Sequence, residues 1–107
     1  MRYNGADAHL FYNNCLPTYY ISKKQARQLG WQDWNGNLND VLPGKMIGGD
    51  VYANREGKLP STPNRLWYEA NINYSKGYRN KERILYSNDG LIFVTYDHYQ
   101  TFYEIIK

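Results

Sequence analysis

From Trp67 to Tyr74 the chain alternates. Ala70, Ile72 and Tyr74 occupy every second position, with Glu69, Asn71 and Asn73 between them. A period of two predicts a strand with the first set facing a core and the second on the opposite face. Ser75-Lys76-Gly77 predicts a tight turn, after which Arg79 and Arg83 come back beside Glu69. Four strands are expected near 66–73, 82–87, 91–96 and 101–106, with Asn88-Asp89-Gly90 as a hairpin turn. In the third of these both faces are largely apolar, so periodicity does not say which side faces inward.

The first half reads differently. Asn4 is a candidate cap for a short helix, with Asp7 in its first turn and Leu10 and Phe11 as its apolar contribution. Leu16-Pro17 breaks the chain. Ser22 and Gln25 have capping-box spacing and Ile21 and Ala26 staple spacing, and Gly30 ends that helix in the left-handed conformation. Asn37 caps a second short helix, stopped by Pro43-Gly44. Residues 45–63 read as a long shaped loop with a short strand, Asp50-Val51-Tyr52. Its anchors Ile47, Val51, Tyr52 and Leu59 argue against disorder. Helices followed by a meander predict an α+β fold, with short N-terminal helices packed on one face of an antiparallel sheet.

At 107 residues a single domain over 1–107 is expected. The formal charge of +3 permits an anionic partner without demanding one. The only cysteine, Cys15, cannot form an internal disulfide. The apolar run Leu91-Ile92-Phe93-Val94 is far too short to span a membrane, and no leader follows Met1. The chain either stays inside the cell or is the mature form of a secreted protein. With 12 tyrosines the aromatic content is high, which suits half-buried strands and stacking surfaces.

The candidate chemistry sits on these elements. Glu69 beside Arg79 and Arg83 could handle a proton next to a phosphate, or could be a structural ion-pair cluster. Lys23 lies in a helix first turn, where the dipole repels a cation, a weak pointer to function. His98 falls in the turn between the last two strands, which a meander can bring to the same sheet end. A carboxylate and a histidine flanking cations form a general acid–base pair around an anion. No metal-ligand spacing surrounds His9 or His98, and Asp97, as a sequence neighbour, should point elsewhere. Residues 52–56, Tyr52-Ala53-Asn54-Arg55-Glu56, offer a second group. Guanine presents two adjacent donors on its Watson–Crick edge, and Glu56 can accept both. Amides near Asn54 and Arg55 could donate to O6, with Tyr52 or Tyr78 as a wall.

The runs Leu16-Pro17, ARQLGW (26–31), GKMIGGD (44–50), NREGKLP (54–60), WYEANINY (67–74), GYRN (77–80), RILYS (83–87) and DHYQTF (97–102) occur in this order. In them the chain resembles the secreted bacterial guanyl-preferring ribonucleases of the barnase and binase type, over about residues 16–107. The resemblance implies Glu69 as general base and His98 as general acid, with Lys23, Arg79 and Arg83 holding the phosphate. It implies Arg55 and Glu56 as guanine-loop residues and Tyr99 as an aromatic lining the site. It also implies RNA as substrate, no cofactor or metal, a secreted monomer, and a small acidic inhibitor protein of the barstar type as partner. Use as an intracellular toxin is the alternative to secretion. Three positions depart from the family. Ala53 replaces a Ser. Asn71 replaces a buried Asp tied to the two arginines, so Asn71→Asp is expected to stabilise the protein. Gly90 replaces an aromatic expected at the active-site end, which would loosen the approach to His98. Two rival readings are a catalytically inactive single-stranded RNA-binding module and a carbohydrate-binding module built on Trp31, Trp34 and Trp67. The intact Glu69, Arg79, Arg83 and His98 set weighs against both.

Overall fold

The structure, a computed structural model, describes residues 6–13, 15–74 and 77–106, with only the backbone of Phe11. The expected cap at Asn4 and the turn residues Ser75 and Lys76 lie outside the described residues.

Helix α1 (Ala6–Asn13) places Ala6 and Leu10, four residues apart, against Ala70, Ile72, Ile84, Ile92 and Val94 of the sheet. Helix α2 (Lys23–Gln28) starts at Ser22, whose Oγ accepts the Gln25 N–H at 3.3 Å. Such a cap contributes about 1 kcal/mol. The Gln25 side chain takes the Ser22 hydroxyl at 3.2 Å. Gly30 closes the helix with φ +109°. A 3₁₀ turn follows at Asp33–Asn35, then α3 (Leu38–Val41). Asn37 makes no side-chain cap there. Its Oδ1 accepts the Gln32 N–H at 2.7 Å and its Nδ2 donates to the Gly30 carbonyl at 3.1 Å. A one-turn helix gains little from a cap, and the side chain instead ties together the loop between α2 and α3.

Six strands form one sheet in sequence order: β1 (Tyr20–Ile21), β2 (Met46–Tyr52), β3 (Trp67–Asn71), β4 (Arg83–Ser87), β5 (Ile92–Thr95) and β6 (Tyr103–Glu104). β1 runs parallel to β2 and every later pair is antiparallel. The strand expected only at 50–52 therefore begins four residues earlier. The glycines that suggested a loop are strand residues. A Cβ on Gly48 would lie 2.6 Å from Tyr20 Cδ1 and 2.7 Å from Ala70 Cβ. Gly49, at φ +94°, sits in a bulge, so that Gly48 faces Ala70 while Asp50 faces Glu69.

Both sheet faces are covered. The helices take the face of Ala70, Ile84, Ile92 and Val94. On the other face Trp67 and Leu85 bury Leu59 of the long loop, with Tyr52, Phe93, Tyr99 and Phe102 packed around them. The Trp67 indole N–H donates to the Pro60 carbonyl at 3.1 Å, fixing that loop on the sheet. Doubly covered β5 explains why its sequence is apolar on both sides. Gly90 (φ +98°) lies in the β4–β5 turn, at the end of β5 remote from His98. It lines a cavity of about 280 Å³ with Leu10, Tyr68 and Tyr86 on the helix side. The expected effect of Gly90 on the approach to His98 is thus corrected: this glycine opens the surface beside α1. Among the described residues no helix is long and apolar enough to cross a membrane.

Candidate active site

Glu69 is the centre of the second face. It is 8% exposed, and its Oε1 lies 3.4 Å from Lys23 Nζ and 3.6 Å from Arg79 Nη2. At 3.6 Å the Arg79 contact is an ion pair rather than a hydrogen bond. Lys23 reaches it because Asp50, opposite Glu69 across the bulge, accepts the Lys23 backbone N–H at 3.1 Å. That bond satisfies one of the free donors at the start of α2 and fixes the lysine against its unfavourable dipole. In the sequence Asp50 was read only as the first residue of a short strand, although its place after Gly48-Gly49 was a signal that the strand was bent there.

The arginines differ from each other. The Arg79 Nε donates to Asn71 Oδ1 at 2.5 Å, and burial, with Arg83 beside it, pushes its guanidinium below the ordinary arginine value while Glu69 opposes the shift. Arg83 is 4% exposed and spends its Nη1 on the carbonyls of Asn80 (2.6 Å) and Glu82 (2.9 Å). Of the two arginines expected beside Glu69, the structure pairs only Arg79 with it. Arg79 leans on Glu69 and Asn71, and Arg83 on backbone carbonyls, because the turn before β4 folds over it. Arg79 Nη2 and Arg83 Nε are buried without a hydrogen-bond partner among the described residues. Asn80 is the hub. Its Oδ1 accepts Asn71 Nδ2 at 2.9 Å and the Glu82 N–H at 3.2 Å, and its Nδ2 donates to the carbonyls of Ile72 and Asn73 at 2.9 and 3.2 Å. Asn80 lay within a matching run but carried no role, because its partners come from another strand.

Beyond Glu69 lies Tyr99. Its hydroxyl is pushed up in pKa first by burial and next by the Glu69 charge, with Arg83 and Arg79 opposing. Its ring stacks on Tyr52 with centroids 4.9 Å apart and meets the His98 ring at 4.8 Å. His98 and Tyr99 both hold positive φ, 59° and 73°. Left-handed conformations cost about 1–2 kcal/mol per non-glycine residue. Asp97 holds the turn in place: its Oδ1 accepts from Thr95 Oγ1, Gln100 N and Thr101 N at 3.0, 3.1 and 2.9 Å. Those bonds depress its carboxyl to about 2. Asp97 thus points into its own turn.

Tyr52, Ala53, Asn54, Arg55 and Glu56 share a cavity of about 320 Å³ with His98, Tyr99 and Gln100. That is the lower end of the size range of ligand pockets. The Asn54 side chain is occupied in closing the loop, donating to the Leu59 carbonyl at 3.0 Å and accepting its N–H at 3.2 Å. Only the Asn54 backbone is left to meet a ligand. Lys58 bridges the cavity walls, 3.4 Å from Glu56 and bonded to the carbonyls of Tyr99 (3.4 Å) and Gln100 (3.2 Å). Tyr78 is not part of this cavity. Its hydroxyl donates to the Trp34 carbonyl at 3.2 Å, on the side of the α2–α3 loop. The four candidate cations differ in exposure: Arg55 is exposed, Lys23 and Arg79 are half-buried, and Arg83 is buried. Among the described residues no group of three or more His, Cys, Asp or Glu side chains could hold a metal ion.

A few short helices on a six-stranded, mostly antiparallel open sheet, carrying this cluster at one end, place the chain in the α+β class with the microbial ribonuclease fold. Comparison with known proteins agrees. The ribonuclease family matches residues 4–106. A protein named ribonuclease from Heyndrickxia coagulans is 52% identical over 103 residues, which are 96% of this chain and 94% of that protein. Ribonucleases from Bacillus intermedius and Bacillus pumilus are also each 52% identical over 103 residues, again 96% of this chain but 64% of theirs. The chain belongs to the ribonuclease family.

Proposed function

We propose that the chain cleaves single-stranded RNA after guanosine, by internal transesterification at the Glu69 cluster. The observation that supports this most is the joining of two features by Tyr99. Its hydroxyl bears on Glu69, and its ring walls the cavity that holds both Glu56 and His98. Glu69 takes the proton of the 2′-OH. The freed oxygen attacks phosphorus in line, the bond from phosphorus to the 5′-oxygen breaks, and His98 gives its proton to that oxygen. A 2′,3′-cyclic phosphate and a 5′-OH result. For hydrolysis, His98 takes a proton from water, the hydroxide opens the ring, and Glu69 returns its proton to the 2′-oxygen. Lys23 and Arg79 stabilise the charge that grows on the nonbridging oxygens. Arg83, closed in by backbone, acts on the same charge at longer range. Each member of the acid–base pair contributes about 10²–10⁴-fold.

The test is incubation with an RNA oligonucleotide carrying one guanosine, with and without EDTA, beside the DNA of the same sequence. Expected is a cyclic phosphate end after guanosine, unaffected by EDTA, and intact DNA. Cleavage abolished by EDTA, or equal cleavage after uridine, would overturn the proposal. Binding without cleavage would favour an inactive RNA-binding module. A small acidic inhibitor is the protein partner we infer. With Arg83 buried, Arg55, Lys23 and Arg79 would meet its carboxylates, and intact inhibitor titration in Arg55→Ala and Lys23→Ala would disprove that surface. Secretion rests on the family resemblance alone.

A further inference from the structure

We propose that Trp34 and Tyr78 form a second base-stacking subsite, which takes an unpaired base of the RNA on the far side of the reacting phosphate from the guanine cavity. The inference rests on the proposed ribonuclease reading and extends it. Tyr78 is 66% exposed and yet held. Its hydroxyl is bonded to the Trp34 carbonyl, and its ring lies on Gly36, where an added Cβ would stand 3.2 Å from Tyr78 Cγ and Cδ1. Gly36 has φ +60°, so the loop supplies a flat backbone seat. The ring is thus held against Gly36 while two-thirds of the residue stays exposed. Trp34, in the 3₁₀ turn Asp33–Asn35, is 74% exposed.

Both rings stand among polar neighbours, since Gln32, Asp33 and Asn35 are exposed around Trp34. A protein-docking surface would be expected to gather apolar side chains into a continuous patch. Single ordered rings in a polar loop suit a nucleobase, which offers a π-face with polar edges. Continuity with the site supports this placement. Tyr78 directly precedes Arg79, whose Nη2 lies 3.6 Å from Glu69 Oε1, while Tyr99 bears on Glu69 and lines the guanine cavity. Trp34 and Tyr78 share no lining residue with that cavity. The proposed strand, seated by guanine and crossing Glu69, would reach the Tyr78 ring as its next aromatic contact.

Two measurements test this. Trp31 and Trp67 are 4% and 3% exposed, so collisional quenching of tryptophan fluorescence by neutral acrylamide reads Trp34. A single-stranded DNA tetramer containing one deoxyguanosine, bound to saturation as followed by the anisotropy of a labelled copy, should reduce acrylamide quenching at least twofold. Second, the ratio of kcat/KM on a tetranucleotide RNA to that on a guanosine-containing dinucleotide should fall about tenfold in Trp34→Ala, the scale of one lost base stack. Tyr78→Phe, which keeps the ring, should retain most of that ratio. Quenching unchanged at saturation, or a ratio unchanged in Trp34→Ala, would overturn the subsite. Should the protein cleave neither RNA, the ribonuclease reading fails, while the quenching experiment still decides the subsite.

Discussion

Asn71→Asp should make the protein more stable by about 2 kcal/mol at neutral pH, the balance of hydrogen-bond terms in a buried network. Position 71 is 1% exposed and stands directly opposite Arg83 in the β3–β4 register. Its single acceptor, Oδ1, is taken by Arg79 Nε, and its Nδ2 points at Asn80. Two guanidinium N–H groups nearby, Arg79 Nη2 and Arg83 Nε, are buried with no hydrogen-bond partner among the described residues. Asp would offer a second acceptor oxygen where Nδ2 now stands, across from Arg83. Satisfying one buried donor recovers about 1–3 kcal/mol, and turning the Arg79 bond into a charge-assisted one adds about 1 kcal/mol. Against this, the bond to Asn80 is lost and a carboxylate is desolvated. Asn80 Oδ1 keeps the Glu82 N–H and Arg83 Nη1 as donors, so it is not orphaned. Desolvation is offset in part because the arginines carry their own desolvation cost in either protein, Arg79 ion-paired to Glu69 and Arg83 bonded to backbone carbonyls and Asn80. Held by two arginines, the new carboxylate has a depressed folded-state pKa. Its contribution is therefore present above the unfolded value of about 3.9 and disappears as pH falls towards the folded value. Urea unfolding of parent and variant at neutral pH and near pH 3 measures both parts. A midpoint at neutral pH that is unchanged or lower would refute the reasoning and show that the arginine donors are satisfied by other means. The same substitution should weaken binding of inorganic phosphate, because it neutralises cations aimed at the site.

The pH profile of kcat/KM should be bell-shaped, needing Glu69 ionised and His98 protonated, and His98→Ala should remove the limb that falls at high pH; a profile unchanged by that substitution would mean His98 has no part in proton transfer. Asp97→Ala should loosen the His98 turn and lower kcat/KM. Because the Asp97 carboxyl is depressed to about 2, the stability advantage of the parent should be full above about pH 4 and vanish as pH falls through 2, as paired acid denaturation curves would show; a constant gap down to pH 2 would disprove it. Gly48→Ala should destabilise by about 2 kcal/mol or more, since two contacts under 3.0 Å force the backbone of β2 away from Tyr20 and Ala70, and a thermal midpoint within 2 °C of the parent, against a shift of several degrees per kcal/mol, would contradict it.

Much of this was legible in the sequence where one period decided the outcome. The alternation around Glu69, the Ser22–Gln25 cap and the Asn88-Asp89-Gly90 turn are local signals, and the structure carries all three. What was not legible depended on partners far along the chain. β1 has two residues, too few to alternate, and exists because Tyr20 and Ile21 meet Met46 and Ile47. Gly48 and Gly49 looked like loop residues because nothing nearby shows that Tyr20 and Ala70 press on one and that the other makes a bulge. Within the candidate site the charged residues stood out by type and spacing. Asp50, Asn80 and Lys58 did not, since each acts by holding another residue. Tyr78 was offered beside Tyr52 as a wall for the guanine, whereas it lines no part of that cavity and its hydroxyl ties it to the Trp34 carbonyl.

The two left-handed residues at 98 and 99 bear on how this protein could be improved by laboratory evolution. Tyr99 is anchored by its stacking on Tyr52, whereas His98 is exposed and held by its N–H donating to the Lys81 carbonyl at 3.0 Å and by an edge contact with Tyr99. Glycine at 98 would relax the turn, by about 1 kcal/mol on the usual scale for a left-handed position. A library screened for heat resistance alone would therefore drift towards losing the histidine early, and, on the acid role proposed for it, its hardiest clones would be its poorest enzymes. Screening for both properties at once would hold position 98 fixed and push gains to sites such as 71.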